Sequence, residues 1–173
     1  MAATYEPIAS TTLGSSAASV TFGSGGTLSQ GYTDLRLVIR SKATAAGVHR
    51  SLLVRFNGDT GSNYSATRLY GNGSSATSDR LSSQTGIDVG FLPNTSNNFG
   101  TSLIDVMSYS SGSVYKTLLC SWESQGGASG SQYVAREVGL WRSTSAITSI
   151  TLLYSADDIE SGSTFALYGI KAA

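Results

Sequence analysis

Imidazole and thiol groups are almost missing from this chain, which carries one His and one Cys. A lone thiol cannot build an internal disulfide framework or a multi-thiolate metal site. Cys120 lies in the apolar stretch Leu118-Leu119-Cys120-Ser121-Trp122 and reads as a small buried hydrophobe. Any Ser/His/Asp or Cys/His arrangement would have to use His49, in the loop-to-strand junction Ala46-Gly47-Val48-His49-Arg50, where a surface His is the expected reading. Charge is scarce as well: 13% of residues are Asp, Glu, Lys or Arg, about half the usual share. The 11 basic and 11 acidic residues cancel, so no long-range field draws the chain to nucleic acid or to an anionic membrane. No window offers the roughly eighteen apolar residues of a membrane span. The opening Met1-Ala-Ala-Thr-Tyr-Glu-Pro lacks the basic patch and apolar core of a secretory signal. The expectation is a chain that is made in a cytosol and stays soluble, and that can leave the cytosol inside a larger particle.

What is abundant is hydroxyl and strand-forming character. Ser and Thr exceed a quarter of the 173 residues and keep the surface wet in place of charge, while 40% of residues are hydrophobic, enough for one domain with a sizeable core. No segment sustains apolar residues at three-four spacing, so helix is not expected. Period-two alternation is widespread. In 33–40 it places Leu35, Leu37 and Ile39 on one face, and in 51–57 it does the same for Leu52, Val54 and Phe56. Further strands are expected over 4–13, 18–22, 63–69, 86–91, 102–109, 114–123, 132–142, 147–155 and 164–171. Gly- and Asn-rich strings such as Gly23-Ser-Gly-Gly and Asn57-Gly-Asp close turns between them. The weakly patterned piece 70–84 is expected to be an excursion. The fold class is all-β: an antiparallel two-sheet β-sandwich, jelly-roll-like, over residues 14–173, with an extended N-terminal arm or edge strand over 1–13.

Few groups suggest chemistry. Asp157-Asp158 with Glu160 is the only close acidic cluster, placed on a turn before the last strand, where solvated surface outweighs a glycosidase-like pair. Asn57 to Asn63 spaces oxygen ligands like a weak calcium loop but lacks a closing bidentate Glu, so a tight turn is expected. No catalytic residue, cofactor or metal site is assigned. Nine Tyr, with Trp122 and Trp141, fill a core or protomer contacts, or else form platforms for sugar rings.

The strings Ala3-Thr-Tyr-Glu-Pro-Ile-Ala-Ser-Thr-Thr-Leu-Gly-Ser, Tyr32-Thr-Asp-Leu-Arg-Leu-Val-Ile, Leu53-Val-Arg-Phe-Asn-Gly-Asp, Tyr64-Ser-Ala-Thr-Arg-Leu-Tyr-Gly and Gly162-Ser-Thr-Phe-Ala-Leu-Tyr-Gly-Ile-Lys carry a resemblance. Together they make the chain similar to small virion structural proteins of tailed phages, notably those of aquatic bacteria. The resemblance implies a non-enzymatic virion protein that decorates the capsid by binding the major capsid shell. The alternative is a tail, fibre or baseplate component that binds a host-surface glycan. The N-terminal segment is extended by composition, since Pro7 lacks a backbone donor and Thr4, Thr11 and Thr12 favour strand geometry. It is expected to reach a neighbouring chain of a homotrimer, with Tyr5 and Ile8 as its apolar, partner-binding anchors.

Overall fold

The computed structural model describes residues 4–45, 50–92, 98–124 and 132–171. These residues contain no helix and form twelve strands: β1 (Tyr5–Thr12), β2 (Val20–Phe22), β3 (Asp34–Ser41), β4 (Arg50–Phe56), β5 (Tyr64–Gly71), β6 (Ala76–Gln84), β7 (Ile87–Leu92), β8 (Gly100–Met107), β9 (Lys116–Ser124), β10 (Tyr133–Trp141), β11 (Ile150–Tyr154) and β12 (Thr164–Ile170). Eleven of them lie where alternation and turn residues place them. The exception is β6, which corrects the expected excursion over 70–84. Asn72 Oδ1 accepts the backbone N–H groups of Ser74 and Ser75 at 3.0 and 2.9 Å, and Gly73 takes a φ of +85°. That turn folds Ala76–Gln84 back on β5 as a hairpin. Its backbone ladder needs no apolar side chains, so hydropathy gave no sign of it.

All strand pairs are antiparallel. The larger sheet runs β1-β12-β3-β8-β9-β10-β5-β6 and the smaller β2-β11-β4-β7. With β5, β6, β9 and β10 set aside, eight strands remain and they pair first with last, second with seventh, third with sixth and fourth with fifth. Folding one long antiparallel ribbon across two sheets produces this nesting. The six residues expected in the shared core, Leu35, Leu37, Ile39, Leu52, Val54 and Phe56, are all buried there.

Two contacts show how closely the sheets meet. A Cβ on Gly139 of β10 would lie 2.6 Å from a methyl of Ile87, so only glycine lets β7 approach at that point. The Val89 carbonyl of β7 accepts hydrogen bonds from the Ser102 hydroxyl at 2.7 Å and, at 3.4 Å, from the thiol of Cys120, which is buried as its apolar neighbours suggested. At the far edge, β1 pairs with β12 of its own chain, with an irregularity between Pro7 and Ala9. Missing donor and bulge together blunt that open edge.

Candidate functional site

The inner face of the larger sheet changes character from one side to the other. Leu167, Leu37, Ile104, Cys120, Glu137, Arg68 and Asp79 stand opposite one another from strand to strand. The row is therefore apolar as far as β9 and charged beyond it. The change coincides with the end of the smaller sheet, whose last strand is β7, so that β5 and β6 overhang it. Between β7 and the overhang lies a cavity of about 250 Å³, lined by Ser51, Arg68, Tyr70, Asp88, Phe91, Trp122 and Tyr133.

Arg68 organises this cleft. Its Nε and Nη2 donate to the two carboxylate oxygens of Asp79 at 2.7 and 2.9 Å, and Nη1 donates to Asp88 at 3.2 Å. The Asp79 bond holds the guanidinium firmly cationic. Asp88 also accepts from the Ser51 hydroxyl at 2.7 Å and the Gly90 N–H at 3.2 Å, yet burial raises its pKa. Glu137 is 1% exposed, and among the described residues neither carboxylate oxygen has a hydrogen-bond partner. Burial, reinforced by the charge on Asp88, pushes its pKa up to about 8, so it stays mostly protonated at neutral pH. The Trp122 indole is near enough to oppose that rise a little, but its N–H does not reach hydrogen-bonding geometry and is likewise without a partner. Aromatic rings close the walls. Phe91 and Tyr133 meet edge to face with centroids 6.0 Å apart, and the Arg68 guanidinium carbon lies 5.3 Å from the Tyr70 ring centre.

The outer face of the same sheet is open and apolar. Val38, Leu69, Met107, Leu119, Val134 and Val138 alternate with buried residues along their strands and are between 36% and 66% exposed. Val138 stands opposite Leu119, and Val38 opposite Leu103. Several charged residues on this face are already engaged: Arg36 grips Asp105 through two bonds of 2.5 and 2.7 Å, and Arg136 donates to the Ser121 hydroxyl, while Glu123 and Arg80 lie on the same face toward β5 and β6.

The residues singled out from sequence fall mostly elsewhere. Tyr5 is 47% exposed with the Arg36 guanidinium over its ring, whereas Ile8 packs against the core of its own chain. His49 lies outside the described residues. Asp157 is paired with Arg50, and Asp158 and Glu160 sit in the turn before β12, tied by backbone bonds to Thr44 and Lys42. In the turn 57–63 the Asp59 carboxylate accepts from the Trp141 indole, the Gly61 N–H and the Asn63 amide, which makes it the brace of that turn. Trp141 stacks on Tyr64 in the core and meets Phe56 at a tilt, while Trp122 lines the cleft. Sequence reasoning missed Arg68, Asp79, Asp88 and Glu137. The available signal was a carboxylate between strand hydrophobes, as in Ile87-Asp88-Val89; Glu137, flanked by Arg136 and Val138, carried none. Comparison of the chain with family models, with curated proteins and with solved structures gave no match.

Proposed function

We propose that this chain is a non-enzymatic structural module of a tailed-phage virion, a decoration protein that seats on the major capsid shell through the outer face of its larger sheet. The observation that carries the reading is the open apolar face formed by Val38, Leu69, Met107, Leu119, Val134 and Val138. Patches of this kind on a folded domain mark docking surfaces. Eight strands about 4.8 Å apart, each rising about 3.4 Å per residue over eight residues or so, span about 800 Å². One partner contributes about that area to a standard interface. The Arg36–Asp105 pair and the Arg136–Ser121 bond lower the cost of drying the centre of the face, because those three charges enter an interface with partners in place. The nested strand order supports reading the sandwich as a jelly roll, and the resemblance of the strand strings supports a virion partner. In the homotrimer of this reading, Tyr5 is the anchor open to a neighbour and Ile8 serves its own chain.

The double variant Leu119→Lys with Val138→Lys tests this. Both side chains already face solvent, so the fold should survive while co-sedimentation with particles stripped of the protein is lost. Full attachment of the folded double variant would refute the docking face. Gel densitometry of purified particles gives the location: hundreds of copies fit decoration, whereas a handful would favour the tail reading.

A further inference from the structure

The cleft between β7 and the overhanging strands has no task in docking by the opposite face, and its chemistry is specific enough to name an occupant. We infer that it binds one neutral sugar ring, a hexose, deoxyhexose or N-acetylhexosamine unit of a glycan. The inference holds whether the protein sits on the capsid or on the tail.

Size sets the first bound. About 250 Å³ lies below the range of drug-sized sites, so the cleft accepts one ring with its neighbours left outside. Wall chemistry sets the second. A pyranose presents C–H faces and hydroxyl edges, and the cleft offers aromatic walls from Tyr70, Phe91 and Tyr133 around a polar floor of Ser51, Arg68 and Asp88. The floor has capacity to spare. Three of the five Arg68 N–H groups are engaged with Asp79 and Asp88, and Asp88 accepts three bonds of about four possible. The guanidinium can donate to one hydroxyl while the carboxylate beside it accepts from the next, the pattern that vicinal sugar hydroxyls demand.

An unmet donor stands in the wall of the same space, beside Glu137. Trp122 lines the cavity, is 4% exposed, and its indole N–H has no hydrogen-bond partner among the described residues. A buried N–H in that state is costly, and a ligand oxygen would relieve it. Local charge sets the selectivity. Arg68 is already paired with both Asp79 and Asp88, so a uronic or sialic acid would bring a further carboxylate into a site where two carboxylates face one cation.

The two indole N–H groups make the test specific. In ¹⁵N-labelled protein the Trp122 indole signal reports on the cleft, while that of Trp141, bonded to Asp59 at 2.7 Å, serves as an internal reference. Titration with a panel of methyl hexosides, deoxyhexosides and N-acetylhexosaminides should shift the Trp122 signal for at least one sugar and leave Trp141 unmoved. Ser51→Ala and Tyr133→Ala, both at half-buried positions, should each weaken that binding about tenfold in protein that stays folded, as an unmoved Trp141 indole signal reports. Glucuronate should bind at least tenfold more weakly than the matching hexoside. The inference is overturned if no neutral sugar moves the Trp122 signal, if glucuronate binds equally well, or if butylamine, a probe for a lysine side chain, is the only ligand that shifts it.

Discussion

Replacing Glu137 with Gln should flatten the pH dependence of this protein's stability. In the unfolded chain the carboxyl titrates near 4.5, and in the folded protein burial beside Asp88 raises it to about 8. The folded state therefore holds the proton more tightly. Stability is fullest below the unfolded pKa, declines as pH rises from about 4.5 to about 8, and levels off above that window. Integrated between pH 5 and pH 9, a shift of this size removes on the order of 4 kcal/mol from the wild-type protein. Gln cannot titrate, so the variant should lose only what the remaining groups contribute. Asp88, whose raised pKa acts in the same direction, is present in both proteins and largely cancels in the comparison. Urea denaturation of both proteins at pH 5, 7 and 9 and fixed ionic strength measures the difference. The variant should gain on the wild type as pH rises, and the two should diverge most above pH 8. Parallel profiles, with a constant gap at all three values, would refute the reasoning. They would mean that Glu137 ionises in the folded state as easily as in water.

Two further outcomes test the packing. Leu37→Ala empties a fully buried position on β3 and should cost about 2–5 kcal/mol in denaturant unfolding; a cost near zero would mean that the strand faces the other way. Gly139→Val places side-chain carbon where Ile87 already sits and should cost about 1–3 kcal/mol or more in the same assay; unchanged stability would show that β7 and β10 do not meet as described.

The sequence by itself determined the fold class and much of the core, because both follow from local patterning. Alternation in Leu35 to Ile39 and Leu52 to Phe56 specifies a buried face wherever those strands are placed, and Gly- and Asn-rich strings punctuate the runs. Three things needed the tertiary structure. β6 exists because β5 offers it a ladder, and a polar edge strand carries little hydropathic signature. The cleft gathers Ser51, Arg68, Asp88 and Trp122 from four separate strands, an association set by sheet order and not by spacing along the chain. The facing of β10 is the clearest case. Hydropathy in Tyr133–Trp141 favours Val134, Val138 and Leu140 inward, yet the protein buries Ala135, Glu137, Gly139 and Trp141. Only that choice gives Ile87 the space above Gly139 and sets Trp141 among Phe56, Tyr64 and Asp59. A one-residue slip would exchange both contacts for collisions, so packing across the sandwich overrode the preference of the strand, left Glu137 buried, and turned the valines outward.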